Sequence, residues 1–118
     1  MTYQRGDVVI VDVPFVSRPG SKMRPMVVVQ NDRNNARMAN TILATVTTNT
    51  ARAKESTQVS IAVRSADGRQ TGLIADSVIS CENLLTIDQS NIRRKIGQLT
   101  PSLIQQLNAA LKESLDLP

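Results

Sequence analysis

The chain has 118 residues, of which 41% are apolar and 20% charged, and its formal net charge is +4. That length suits a single domain spanning residues 1–118, with one core and no separate cofactor domain. His is absent, Cys81 is the one cysteine, and Tyr3 and Phe15 are the only aromatic residues. These counts exclude Ser-His-Asp and Cys-His catalysis, an internal disulfide and a four-ligand Cys/His zinc site, and they leave almost no aromatic surface for stacking bases.

In chain order, Asp7 to Val13 reads as the first strand, rich in β-branched residues and ended by Pro14. Its nearly continuous apolar character predicts burial on both faces. A loop from Ser17 to Met23, marked by Pro19-Gly20, leads to Arg24-Pro25 and a second strand from Met26 to Gln30. Asn31 to Asn35 is polar and predicts a turn or one turn of helix. A third strand runs from about Thr41 to Thr47. A basic, Thr-rich loop then joins it to a fourth strand at Gln58–Ile61.

Asp67-Gly68 is a turn signal, and Leu73 to Glu82 reads as a fifth strand or a broken pair. Asp88 can cap a short helical turn by accepting free backbone N–H groups, and Arg94 to Leu99 reads as one more strand. The clearest element comes last. Thr100 fits an N-cap and Pro101 the first helical position, where its missing N–H costs nothing. Ile104, Leu107, Leu111 and Leu115 then recur at helical spacing, with Leu103 beside them. Short strands followed by a helix predict a mainly β protein with α: a small, curled β-barrel with helical cover.

The N-terminus lacks the apolar stretch of a signal peptide, and no apolar run approaches the ~20 residues that span a membrane. The expected location is a reducing cytoplasm. Charge is unevenly spread. Arg18, Lys22, Arg24, Arg33, Arg37, Arg52 and Lys54 lie in the first half, and Asp32 is the only carboxylate between Arg18 and Lys54. Such a span is either a solvated basic face or a surface for a polyanion.

Among side chains able to do chemistry, Arg24 sits beside a strand rich in valine. A guanidinium stays charged at any working pH, grips two phosphate oxygens, and can stabilise charge that develops on a phosphate under attack. Thr47 and Thr48 end the third strand. Their β-branch alone suits a strand, yet a hydroxyl there can also bond a phosphate oxygen. Gln30-Asn31-Asp32 ends a strand, with Asp32 suited to an Asx turn. Cys81 lies in an apolar stretch and reads as a small buried hydrophobe.

Taken together, Arg5-Gly6-Asp7-Val8, Arg24-Pro25 before a valine run, Gln30-Asn31-Asp32, a strand ending in Thr47, Asp76-Ser77-Val78-Ile79, Thr86-Ile87-Asp88 and the final helix resemble the MazF/PemK/Kid toxins over nearly the whole chain. The resemblance implies an SH3-like barrel, shared with the CcdB gyrase poisons, that forms a homodimer. It implies a toxin of a type II toxin–antitoxin system that cuts single-stranded RNA at a short motif, without ribosome or metal, and that a cognate antitoxin restrains. On it, Arg24 and Thr47 take the catalytic positions, with Thr48 as the alternative register. Glu82 is the candidate general base. Lys22, Gln30, Asn31, Thr48, Asn49, Arg52 and Asn83 are the candidate RNA contacts.

The chain departs from the family pattern in three places. The loop before Arg24 reads Gly20-Ser21-Lys22-Met23. Ser80 stands where one branch has a catalytic arginine, and Leu85 replaces a frequent arginine. A gyrase poison and a degenerate member that binds RNA or antitoxin without cutting are the alternative readings.

Overall fold

The structure, a computed structural model, describes residues 2–118. Six strands, β1 (Asp7–Pro14), β2 (Ser21–Val28), β3 (Asn40–Thr47), β4 (Gln58–Ile61), β5 (Ser77–Asp88) and β6 (Ile92–Gln98), form one sheet in the order β4-β5-β3-β2-β1-β6. Every pairing is antiparallel. The sheet curls into a half-barrel. Helix α3 (Pro101–Leu115) covers one face, and two short helices, α1 (Asp32–Arg37) and α2 (Ala66–Gln70), sit in the connections. No helix among the described residues is long and apolar enough to cross a membrane.

The curl explains why β1 is apolar on both sides. Val8, Val27, Ala44, Val59, Ile61 and Ile79 face one core, with Leu103, Leu107 and Ala110 of α3 packed on them. Val9, Val11, Met26, Val28 and Leu43 alternate onto the other face, where Tyr3 and Ile92 help close a second core. Two enclosed faces need two apolar sets from one strand.

Several boundaries differ from those the sequence predicts. β2 begins at Ser21, not Met26, because the second half of β1 pairs with it: Val11 lies opposite Arg24 and Pro14 opposite Ser21. Only residues 15–20 remain as the hairpin loop. It is closed by Phe15 N–H donating to the Gly20 carbonyl at 3.0 Å, with the Arg18 guanidinium 4.2 Å from the Phe15 ring centroid. Gln30 lies beyond β2. Asn31 caps α1 by accepting from Asn34 N–H at 2.8 Å. Asp67-Gly68 falls inside α2, capped by Ser65, rather than in a turn. β5 starts at Ser77, later than predicted, and runs on through Glu82 to Asp88. Asp88 does cap a short helical turn, Gln89–Asn91.

Helix α3 has the predicted cap, with Thr100 accepting from Leu103 N–H and Pro101 next. Its buried stripe is Leu103, Leu107 and Ala110; Leu115 is 52% exposed, past the edge of the sheet. Leu107→Ala should therefore cost about 2–5 kcal/mol in a denaturant melt, since the vacated volume lies under fully packed neighbours. Leu115→Ala should change stability by no more than about 0.5 kcal/mol. Equal losses would contradict this placement of the helix.

Candidate functional site

Pairing of β2 with β3 sets Met26 opposite Thr45 and Val28 opposite Leu43. The β2–β3 ladder ends at Met26, and Arg24 on β2 and Thr47 on β3 each lie two residues beyond that last pair. In a strand, residues two apart share a face. Lys22, Arg24 and Met26 therefore follow one another on the face of the second core, as do Leu43, Thr45 and Thr47. Met26 and Leu43 are buried, and Lys22, Arg24 and Thr47 stand exposed at the rim. Together they line an open cleft of ≈ 540 Å³, with Thr48 and Asn83 at its edge and Met23 and Leu85 as apolar walls. Thr47 ends β3 in line with Leu43 and Thr45, Thr48 lies just past the strand, and both line the cleft.

No carboxylate among the described residues pairs with Arg24, whereas Arg52 and Arg93 are both paired. Its charge is available to a ligand. The Thr47 hydroxyl oxygen accepts from Asn49 N–H at 3.1 Å, and Asn49 Oδ1 accepts from Ala51 N–H at 3.1 Å. This local turn fixes the oxygen of Thr47 and leaves its proton free to donate.

β5 carries the next part. Ala44 pairs with Leu84, but Thr45 pairs with Ser80, so Cys81, Glu82 and Asn83 form a bulge with no counterpart on β3. A bulge re-aims the side chains it carries. Cys81 points into the core beneath α3, where burial, and next the Glu82 charge, push its thiol up to about 11. It is the inert hydrophobe predicted from the sequence. Glu82 turns toward the β3–β4 connection. Its Oε1 accepts from the Arg52 guanidinium, from Thr57 Oγ1 at 2.7 Å and from Gln58 Nε2. Arg52 also grips Glu55 through two bonds of 2.8 Å each. Arg52 first, then Thr57 and Gln58, hold the Glu82 carboxyl down at about 2, from an ordinary 4.5. Arg52 also holds Glu55 low, and Glu55 first, then Glu82, hold Arg52 high.

A smaller, polar pocket of ≈ 220 Å³ continues the cleft on this side and shares Thr45, Thr47 and Asn83 with it. Asn49, Arg52, Gln58 and Ser80 complete its wall. Thus Lys22, Arg24, Thr47, Thr48, Asn49, Arg52 and Asn83 converge on one connected surface, with Glu82 behind Arg52.

Gln30 and Asn31 do not. Gln30 is buried, donating to Asn35 Oδ1 at 3.0 Å and to the Asn40 carbonyl at 3.1 Å, while Asn31 is spent on its cap. Six residues of extended chain, about 20 Å, separate Gln30 from Arg24. Thr45 and Gln58 are polar cleft residues that the sequence reading did not place in the site, and it noted Ser80 only as standing where one family branch has an arginine. Gln58 meets Ser80 only through β4–β5 pairing across 22 positions.

Comparison with known proteins places this chain in a family. Residues 4–115 match the PemK-like, MazF-like toxin family of type II toxin–antitoxin systems, and the chain belongs to it. It is 35% identical to Endoribonuclease EndoA of Bacillus subtilis over 118 residues, covering 99% of this chain and 97% of that protein. It is 31% identical to Endoribonuclease MazF of Staphylococcus saprophyticus, covering 97% and 92%. In structure it resembles a mycobacterial endoribonuclease solved with its cognate antitoxin, with a TM-score of 0.79 at 23% identity over 98% of this chain and 97% of that one.

The Glu82 linkage carries a pH prediction. A carboxyl lowered by folding contributes stability above its unfolded value, and that contribution is lost as pH falls through its folded value. The contacts of Glu82 with Arg52, Thr57 and Gln58 should therefore persist below 4.5 and dissolve only toward about 2. Carbon-13 titration of the Glu82 carboxyl checks this, and an ordinary midpoint near 4.5 would contradict the network.

Proposed function

We propose that this chain is the toxin of a type II toxin–antitoxin system. It acts as an endoribonuclease that cuts single-stranded RNA at a short motif, independently of ribosome and metal. The observation that carries the reading is the open cleft lined by both Arg24, which no carboxylate among the described residues pairs, and Thr47, each two residues beyond the last β2–β3 pair, Met26 with Thr45. Both curated relatives named above are endoribonucleases.

In the proposed reaction the RNA's own 2′-hydroxyl gives up its proton to solvent water as its oxygen attacks the adjacent phosphorus. The bond from phosphorus to the 5′ oxygen breaks, and that oxygen takes up a proton. The products are a 2′,3′-cyclic phosphate and a 5′-hydroxyl end. Arg24 neutralises the charge that grows on the phosphate, the work a metal ion would otherwise do, so cleavage should continue in excess chelator. Thr47 donates its hydroxyl proton to a phosphate oxygen and holds the phosphate in line for attack. Lys22, Asn49 and Thr48 contact the flanking backbone.

Glu82 was the candidate general base, but a carboxylate held near 2 by three donors has little affinity for a proton. In this proposal it positions Arg52 and Gln58, and the rate rests mainly on Arg24 and on alignment.

The partners follow from the same surface. The mycobacterial neighbour was solved with its cognate antitoxin. Here the free cations along the cleft suit an acidic antitoxin segment that orders on binding and blocks RNA. The chain acts as a homodimer in the cytoplasm. Among the alternatives, a gyrase poison would have no use for Arg24 and Thr47 on one cleft.

Single-turnover cleavage of an RNA oligonucleotide tests the proposal. Arg24→Ala should slow it by roughly 10²–10³-fold, the worth of one preorganised charge-stabilising group. One deoxyribose at the cut position should block it entirely. Normal cutting by Arg24→Ala, or of the deoxy-substituted strand, would overturn the mechanism.

A further inference from the structure

The small pocket beside Thr47 has a composition of its own. The cross-strand pairs Gln58–Ser80, Ser80–Thr45 and Thr45–Met26 run as one row across β4, β5, β3 and β2. The row turns from apolar to polar as it leaves the core, and the bulge adds Asn83 over it. Ser80 is buried, and its Oγ accepts from both amides, from Asn83 Nδ2 at 3.0 Å and from Gln58 Nε2 at 3.4 Å. Gln58 Nε2 is tied a second time, to Glu82.

Both amide groups are thus anchored through nitrogen. Among the described residues, nothing donates to Gln58 Oε1 or Asn83 Oδ1, and both residues line the pocket. Two amide oxygens that accept from nothing among the described residues thus belong to the pocket wall, and their amides, anchored through nitrogen, need little ordering to accept from a ligand. No aromatic side chain lines it, so a base held there is recognised by its edge rather than by stacking.

We propose that this pocket is a single-base subsite that selects a nucleobase through an exocyclic amino group and rejects uracil. The proposal rests on the nuclease reading only in placing this base next to the phosphate held by Arg24 and Thr47, through the shared residues Thr45, Thr47 and Asn83. Adenine, cytosine and guanine each carry an amino group whose two hydrogens can meet the two oxygens. Uracil turns two carbonyl oxygens and a single N–H along its pairing edge, which sets oxygen against oxygen. Ser80 is needed because it is small and because its hydroxyl oxygen anchors both amides. Asn83 is the reader most open to substitution without harm to the fold, being exposed on a bulge.

Two readouts test this and separate it from the nuclease reading. In the first, nitrogen-15-labelled protein is titrated with each of the four nucleoside 5′-monophosphates, following the side-chain amide resonances of Asn83 and Gln58. At least one of the adenosine, cytidine and guanosine compounds should shift both resonances, the strongest naming the base, and uridine monophosphate should leave them in place. Equal shifts with uridine monophosphate, or none with any, would overturn the subsite. This readout needs no catalysis, so a protein that cuts no RNA yet shows the selective shifts would keep the subsite and lose the nuclease.

In the second readout, cut sites are mapped for the wild type and Asn83→Leu. The wild-type sites should share an amino-bearing base at one position beside the cut. The variant should lose roughly tenfold to a hundredfold of that preference, the discrimination of one good pair of base contacts, while other motif positions stay fixed. Unchanged preference in Asn83→Leu, or uracil at that position in the wild type, would refute the assignment.

Discussion

The backbone ladder between β2 and β3 is the constraint on which the site depends. Met26 and Val28 pair with Thr45 and Leu43, and all four point toward the second core. A slip of one residue would exchange the side chains of the two cores, setting Met26 and Leu43 where Val27 and Ala44 pack, so packing on both faces holds the register firmly. The same register fixes which side chains meet at the rim, where the core opens to solvent. Arg24 and Thr47 need no contact with each other to be aligned. They are the next members of two rows whose inner members are locked by packing.

The second determinant is the bulge in β5. Three residues without partners let one strand serve both faces at once. Cys81 fills the core under α3, while Glu82 and Asn83 reach the cleft. Glu82 then gathers Arg52, Thr57 and Gln58, and so ties the β3–β4 connection to the sheet. These pairs are largely exposed, so their contribution to stability is small. Their effect is geometric. They hold a guanidinium and an amide in place beside the rim that carries Arg24 and Thr47, and they leave Arg24 and Lys22 as the cleft's cations without a carboxylate partner among the described residues.

Much of this was legible in the sequence, and the failures have physical causes. The valine-rich β1, the capped helix α3 and the Asp88 cap follow from local rules, so they could be read directly. The start of β2 could not, because Ser21 to Arg24 is polar and becomes a strand only through pairing with β1. Asp67-Gly68 has the composition of a turn, but Ser65 two residues earlier supplies an N-cap that starts α2. In the site, Arg24 and Thr47 were found through family resemblance, and the structure brings them to one cleft. Gln30 and Asn31 are drawn instead into a buried amide network and a helix cap. Gln58 went unseen because nothing local marks it, and Ser80 was noted only as a departure from the family pattern; the β4–β5 register joins them.

The central claim is that an arginine–threonine rim, without histidine or metal, cleaves RNA. The most direct test is to incubate antitoxin-free protein with a long single-stranded RNA in excess EDTA, then map the 5′ ends of the fragments and determine their chemistry. The account predicts discrete cuts at a recurring short motif, each leaving a 5′-hydroxyl. RNA left intact by folded protein, or cleavage that appears only when a divalent metal is restored, would contradict it.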